Sequence, residues 1–318
     1  MHMLSIVVPV LNEEESLSLF HTEVTALIPH LSKEYEIVFV DDGSTDNSLS
    51  LLKELVKKDR HVRIFSFRKN HGKAEALTLG FQMARGEIVV TLDADLQDRP
   101  DQIEKLLKKI DDNYDVVSGW RKDRHDSLAK IISSRLFNLV AGWFWGLQLH
   151  DYNCGLKVYT NDAAKSLFIY GGMHRFIPLI AYQQGFSVAE VPVVHDERKY
   201  GKSKYGYGFL KLFRNLPDMF TMLFLVKYSK RPLHFFGFVG SILFLIGIIM
   251  FGYLWILQLE GEAIGRRPLL FISLSVMLAG LQTFFTGFLA ELMINIQSGR
   301  NVEQYLSHLR FNSDEKKV

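Results

Sequence analysis

Two aspartates one residue apart are the side chains of this chain best placed to do chemistry. Asp93 and Asp95 lie in the stretch GEIVVTLDADLQDRP, residues 86–100, just after a short apolar, β-branched run. That run, residues 87–92, predicts a buried β-strand. Because side chains alternate along an extended segment, we expect both carboxylates on one side at the strand's carboxyl end and Ala94 on the other.

Hard oxygen donors at this position predict a divalent cation. Mg²⁺ and Mn²⁺ prefer carboxylate and carbonyl oxygens, and Gln97 adds an amide oxygen two residues after Asp95. Ligands of open α/β sheets bind at the carboxyl ends of the strands, where these side chains lie. Because the segment offers few oxygen donors, we expect the cation to bind together with a substrate diphosphate. An isolated Asp-x-Asp is more often a solvated acidic turn, and the interpretation therefore depends on the elements around it.

Alternating strand and helix patterns around this pair predict a mostly parallel sheet. Residues 12–16 are expected to supply the cap and an acidic first turn for the first helix. Crossover helices place the loops after successive parallel strands in one crevice. The predicted strands cover residues 5–10, 35–40, 62–67, 87–92, 115–119 and 187–194, and the predicted helices cover residues 12–31, 47–59, 74–84 and 100–110.

The composition excludes several classes of protein. With 318 residues and 48% apolar content, the chain can bury one full core and has room for a second region. A single cysteine, Cys154, excludes an internal disulfide framework and a multi-cysteine metal site. Basic residues collect between residues 120 and 230, which indicates a membrane surface or a phosphate-bearing acceptor and no nucleic acid. The first apolar run is short and broken by Pro9, a poor match to a signal peptide.

Two long apolar stretches predict a transmembrane hairpin. Residues 232–258 and 268–290 contain no Asp, Glu, Lys or Arg, and each exceeds the ~20 residues that cross a hydrocarbon core of ~30 Å. Cations flank the hairpin on its outer ends, so the soluble part and the tail are expected on the cytoplasmic side, although Arg266 and Arg267 in the connector weaken this bias. Glu291 is expected at the membrane interface.

Three further segments carry features of a membrane surface. Residues 130–149 and 208–231 combine broad apolar stripes with basic positions, as in helices that lie on a bilayer. An ordinary core helix is the alternative for the first of them. Residues 197–207 form a basic loop rich in glycine and tyrosine, which predicts closure over an anion by Arg198, Lys202 and Lys204 or, alternatively, a solvated linker.

Three motifs, in this order and spacing, resemble those of glycosyltransferase family 2. Residues 151–157 and 198–205 are similar to loops of the family's polyprenyl-phosphate hexosyltransferase branch, which includes dolichyl-phosphate mannose synthase and bactoprenol glucosyltransferase. The motifs are specific jointly and not singly. They are VVPVLNE at residues 7–13, VDDGSTD at residues 40–46 and DADLQDRP at residues 93–100.

The resemblance implies a fold and a location. The fold is a nucleotide-sugar-binding, Rossmann-like α/β domain of the GT-A type, with interfacial helices and two transmembrane helices. It implies an integral protein of the bacterial inner membrane. The expected parts are a cytoplasmic glycosyltransferase domain at residues 1–207, a juxtamembrane segment at 208–231, a transmembrane hairpin at 232–296 and a cytoplasmic tail at 297–318.

The resemblance also implies inverting transfer of a hexose to polyprenyl phosphate with Mg²⁺ or Mn²⁺. Asp93, Asp95 and Asp151 are the expected catalytic positions, and the metal would lie on Asp95 and Gln97. Asp151 matches a proposed base, but a phosphate that is already ionised needs none, so we assign Asp151 to sugar hydroxyls or to orienting a basic neighbour. The expected nucleotide-sugar ligands are Pro9, Leu11, Asn12, Glu13, Asp41, Asp42, Ser44, Lys73 and Asp93. The expected lipid-phosphate ligands are Arg121, Ser134, Arg135, Arg198 and Lys202.

The shape of the tail favours UDP-glucose as donor. GDP-mannose, UDP-galactose and a UDP-linked modified arabinose are the alternatives. A processive polysaccharide synthase would share the nucleotide site, but the Gln-x-x-Arg-Trp motif of such enzymes is missing from this sequence. A non-catalytic nucleotide-binding membrane module is a further alternative. Glycines in the first apolar stretch permit close helix packing and favour a homo-oligomer.

Overall fold

The computed structural model describes residues 2–122, 146–196, 228, 231–265 and 267–298. The chain divides into two units, Met1–Lys211 and Leu212–Val318. The predicted interfacial segments lie outside the described residues, apart from residues 146–149, 228 and 231.

The first unit is built on a seven-stranded sheet of order β3-β2-β1-β4-β6-β5-β7. The strands are β1 (Leu4–Val10), β2 (Tyr35–Asp41), β3 (Val62–Ser66), β4 (Ile88–Thr91), β5 (Val116–Arg121), β6 (Lys157–Thr160) and β7 (Val188–Val193). Only β6 runs antiparallel to its neighbours, β4 and β5, while the other strand pairs in the described part of the chain are parallel. The mostly parallel α/β fold is therefore confirmed.

Helices cover both faces of this sheet. They are α1 (Leu17–Leu31), α2 (Ser48–Lys58), α3 (Lys73–Met83), α4 (Ile103–Asp111), α5 (Asn161–Ser166) and α6 (Ile177–Gln183), with 3₁₀ turns at Pro100–Gln102 and Gly171–Phe176. Because side chains alternate along β1, Ile6 packs in one apolar layer with Phe20 of α1, and Val7 packs in the other with Phe81 of α3. Burial of β1 on both faces explains its continuous apolar sequence.

The acidic first turn predicted for the first helix is wrong. The helix begins at Leu17, after Ser16, and has no acidic residue in its first turn. Asn12 instead adopts a left-handed conformation with φ of 50°. Its backbone N–H donates to Ser44 Oγ at 2.9 Å, and its Oδ1 accepts from the N–H of Thr45 at 2.8 Å. Asn12, which the sequence suggests as a helix cap, therefore joins the loop after β1 to the loop after β2.

The second unit contains helices α7 (Pro232–Leu259) and α8 (Pro268–Ser298), which pack on each other. By length and composition, Pro232–Leu259 and Pro268–Ile294 can cross a membrane. A Cβ added at Gly240 would lie 2.6 Å from the carbonyl oxygen of Gly280, so glycine permits this close approach. Glu291 Oε2 accepts the backbone N–H of Leu233 at 3.1 Å and thus satisfies a donor in the first turn of α7.

The contact between α3 and β1 yields a stability prediction. A Cβ added at Gly80 would lie 2.2 Å from Val7 Cγ1, and Val7 is fully buried. We expect Gly80→Ala to lower the free energy of unfolding by about 1–3 kcal/mol through overpacking, since a helix-propensity gain of ~1 kcal/mol offsets it only partly. Thermal unfolding of the full chain in detergent tests this, with Gly265→Ala, which meets nothing within 4 Å, as control. A variant as stable as the wild type would contradict it.

Candidate active site

Two buried aspartates join the loops that follow β2 and β3. Asp41 Oδ1 accepts the N–H of Ser44 at 3.1 Å, and its Oδ2 accepts the hydroxyl of Ser66 at 2.7 Å. Asp42 accepts the N–H groups of His71, at 2.7 Å, and Gly72, at 3.0 Å. Because each carboxylate accepts neighbouring donors, these aspartates fix the loops at the carboxyl ends of the strands.

The loops after β1 and β2 form one ridge at the same edge of the sheet. Pro9 lies in β1 and Leu11 directly follows it. Glu13 donates its N–H to Ser48 Oγ at 2.8 Å, next to the bonds between Asn12 and the loop of Ser44. The structure thus brings together the predicted nucleotide ligands of these two loops. Their contact with a nucleotide stays a prediction.

Lys73 and Asp93 form a bidentate ion pair between the start of α3 and the turn after β4. Lys73 Nζ lies 2.6 Å from Oδ1 and 2.7 Å from Oδ2 of Asp93. Burial alone would raise the pKa of Asp93, but the charge of Lys73 and its hydrogen bonds outweigh this and leave the pKa below its ordinary value. Asp93 is therefore an ionised, oriented carboxylate.

Asp95 and Gln97 lie in the tight turn that follows. Asp95 is 7% exposed, and its Oδ1 accepts the N–H of Gln97 at 3.2 Å. Leu96, between them, has φ of 60°, while Ala94 and Leu96 pack in the core. Gln97 is held to the strand-like segment after β7, since its carbonyl oxygen accepts the N–H of Asp196 at 2.9 Å.

The donors in this turn fit a cation carried by a substrate. A carboxylate and an amide, two residues apart, offer the hard oxygens that Mg²⁺ and Mn²⁺ prefer. Within the described residues, no group of three or more His, Cys, Asp and Glu side chains is arranged to hold a metal. A cation on Asp95 and Gln97 would therefore need further ligands, which a diphosphate and water supply.

Arg121 and Asp151 form a second bidentate pair, between the end of β5 and the loop before β6. Arg121 Nε lies 2.7 Å from Asp151 Oδ2, and Nη2 lies 3.1 Å from Oδ1. Asp151 is 1% exposed. Burial alone would lower the pKa of Arg121, but the hydrogen bonds and charge of Asp151 raise it. Both oxygens of Asp151 are engaged by one guanidinium, the geometry of a positioning group.

Three titratable side chains near these ion pairs are not among the site residues predicted from the sequence. Asp98 Oδ1 lies 2.9 Å from His195 Nδ1. Lys157, at the start of β6, is 3% exposed and donates to the carbonyl oxygen of Cys154. His174 lies in the 3₁₀ turn Gly171–Phe176. Asp98 and Lys157 belong to the motif segments quoted above, but nothing local in the sequence around His174 marks it.

The predicted lipid-phosphate ligands divide into two groups. Arg121 is at the edge of the sheet and is held by Asp151. Ser134, Arg135, Arg198 and Lys202 lie outside the described residues.

Comparisons with known proteins identify relatives that match most of the chain. Residues 5–168 match the family model described as glycosyl transferase family 2. The chain is 35% identical over 296 residues to a dodecaprenyl-phosphate galacturonate synthase of Rhizobium johnstonii, covering 91% of this chain and 87% of the relative. It is 34% identical over 290 residues to an undecaprenyl-phosphate 4-deoxy-4-formamido-L-arabinose transferase of Proteus mirabilis, covering 90% of this chain and 87% of the relative.

A solved structure shares the fold. Glucosyl-3-phosphoglycerate synthase from Mycobacterium tuberculosis, in complex with Mn²⁺ and UDP-glucose, superposes with a TM-score of 0.53 at 19% identity. The match covers 71% of this chain and 79% of that chain. The predicted GT-A type of fold is thereby confirmed.

Gly155 gives a test of how tightly the aspartates are packed. A Cβ added there would lie 2.4 Å from Asp98 Oδ2 and 2.9 Å from Asp93 Oδ2. We expect Gly155→Ala to lower the free energy of unfolding by about 1–3 kcal/mol through this clash. In an Asp98→Ala background the cost should shrink, because the nearer carboxylate is gone. Thermal unfolding of the four proteins measures this coupling, and equal costs in both backgrounds would contradict the packing.

Proposed function

This chain belongs to glycosyltransferase family 2, and we propose that it transfers a sugar from a nucleotide diphosphate sugar to a polyprenyl phosphate. The observation that carries the proposal is the pair of relatives named for such transfers, each matched over about nine tenths of this chain. The chain also contains two helices long and apolar enough to cross a membrane, which suit an enzyme with a lipid acceptor. The charged pairs Lys73–Asp93 and Arg121–Asp151 supply the polar groups of the site.

On the donor side, the ridge of Asn12, Asp41 and Ser44 and the turn of Asp95 and Gln97 would bind the nucleotide diphosphate. Asp95 and Gln97 would hold Mg²⁺ or Mn²⁺, which when bound neutralises charge that builds on the departing diphosphate. Asp93, ionised and held by Lys73, would accept hydrogen bonds from the hydroxyls of the ribose or of the sugar. The same pair keeps the Lys73 ammonium close to the leaving group.

On the acceptor side, Arg121 would contact the phosphate of the lipid. A phosphate monoester with a second pKa of ~6 is mostly a dianion at neutral pH, so its oxygen attacks without a general base. That oxygen forms a bond to the anomeric carbon while the bond to the diphosphate breaks, which inverts the configuration. Asp151 then serves as a positioning residue, because both of its oxygens bind Arg121.

The donor sugar of the relatives differs from the glucose favoured by the tail. Their names specify galacturonate and 4-deoxy-4-formamido-L-arabinose. We therefore propose, in place of UDP-glucose, a UDP-linked sugar whose ring carries a carbonyl-containing group such as a carboxylate or a formamide. Among the alternative donors named above, the modified arabinose is the most similar to the sugars of these relatives. The anomeric configuration of the lipid product tests inversion independently of the sugar.

For location, we propose that α7 and α8 form a transmembrane hairpin in the bacterial inner membrane. Both helices are long and apolar enough to cross it. Cations before α7 and in the C-terminal tail would hold the catalytic domain and tail on the cytoplasmic side. There the nucleotide sugar and the lipid phosphate would be available together.

Asp95→Asn tests the metal assignment. We expect transfer of radiolabelled sugar into the organic phase to fall by at least about 100-fold, because one carboxylate ligand is lost. The residual activity should also lose its dependence on Mg²⁺ or Mn²⁺. Asp101→Asn is the matched control, since Asp101 is an exposed carboxylate paired only with Arg99 and Gln102 among the described residues. Normal turnover in Asp95→Asn would show that the metal lies elsewhere.

Asp151→Asn separates a positioning role from a base. Loss of the charge that holds Arg121 should raise the KM for polyprenyl phosphate by about 10-fold or more, since one buried charged hydrogen bond is weakened. The pH profile of kcat should keep its shape. If kcat fell with an unchanged KM and the acidic limb of the profile disappeared, Asp151 would be the base and the positioning role would be wrong.

A further inference from the structure

A small cavity lies beside Asp93, at the start of α3 and the start of β6. Its volume is about 20 Å³, enough for roughly one water-sized group. Polar groups dominate its walls, as expected for a site that binds part of a polar ligand. They include Lys73, Asp93, Asn153, Lys157, Tyr159 and His174.

The cavity contains two lysines and one carboxylate, that of Asp93. Lys73 and Asp93 neutralise each other in their bidentate pair. Lys157 donates to the neutral carbonyl of Cys154, and among the described residues no carboxylate lies within ion-pair distance of it. Asp151, which is charged and near, is engaged by Arg121. Lys157 is therefore a buried amine without an acidic partner in the part of the chain that the structure describes.

A buried ammonium of this kind is costly unless an anion reaches it. Burial, with the nearby charges of Lys73 and Arg121, lowers the pKa of Lys157. A carboxylate bound beside Lys157 would raise that pKa again and stabilise the charged form. The ammonium also has donors beyond its bond to Cys154, as a carboxylate requires.

His174 adds hydrogen-bonding capacity without adding charge. Burial, with the charges of Lys73 and Arg175, lowers the pKa of His174 to about 3, so the ring is neutral at physiological pH. Its Nδ1 lies 3.3 Å from the carbonyl oxygen of Gly171 and must donate to it, which leaves Nε2 as an acceptor. The N–H of Gly171 bonds to Glu75 Oε1 at 3.1 Å, so the turn is tied to α3.

We propose that this cavity receives one substituent of the donor's sugar ring and that it selects a nucleotide-linked uronate, a sugar whose ring carries a carboxylate. Lys157 would bind the carboxylate and so set the preference for a uronate, while His174 Nε2 would accept a hydrogen bond from a neighbouring hydroxyl. The inference rests on the proposed function and narrows its donor to an anionic sugar. The transfer step is the same with such a donor, because the carboxylate takes no part in forming the bond between the lipid phosphate and the anomeric carbon.

The test uses two donors that differ only in this group, UDP-galacturonate and UDP-galactose. We expect the wild-type full-length protein in detergent, with polyprenyl phosphate and Mn²⁺, to favour UDP-galacturonate by about 10-fold or more in kcat/KM. His174→Asp places a carboxylate in the cavity and should reduce this ratio by about 10-fold through repulsion. His174→Asn, the uncharged control of equal size, should keep the ratio within about 3-fold of wild type.

Three results would overturn the inference. They are equal use of both donors by the wild type, a faster reaction with UDP-4-deoxy-4-formamido-L-arabinose than with UDP-galacturonate, and a ratio that His174→Asp leaves unchanged. The proposed function fails in a different way. In that case, none of the donors would place label in the organic phase with polyprenyl phosphate.

Discussion

The site depends on the pairing of opposite charges at the carboxyl edge of the sheet. Lys73 binds both oxygens of Asp93, and Arg121 binds both oxygens of Asp151. Bidentate geometry fixes each side chain in one orientation and keeps it ionised despite burial. A reaction between a nucleotide diphosphate and a lipid phosphate must bring two anions together, and oriented cations are what such a site needs.

The sheet places these pairs by its topology. β1, β2, β3 and β4 run parallel, so their following loops meet at one edge. The antiparallel strand β6 lies between β4 and β5 and begins with Lys157 at that same edge. This insertion brings the loop of Asp151 and Gly155 against the turn of Asp93. The position of β6 therefore places the residues proposed to bind the donor next to those proposed to bind the acceptor.

The sequence predicts most of this fold because its signals are local. Apolar runs and helical periodicity identify the strands and the crossover helices, and the glycosyltransferase motifs locate Asp41, Asp93 and Asp95. Contacts between distant segments were harder to predict. The acidic stretch after Asn12 looks like a helix start, but bonds to the loop of Ser44 override it. His174 joins Lys73 only through packing between α3 and a turn about a hundred residues later.

The most direct test of the account is a structure of the protein with UDP, Mn²⁺ and a short-chain polyprenyl phosphate. The account predicts that Asp95 and Gln97 contact the Mn²⁺ on the diphosphate, and that Arg121 contacts the lipid phosphate while still bound to Asp151. Mn²⁺ held by other residues would contradict it, as would Asp151 released from Arg121 and hydrogen-bonded to the attacking oxygen.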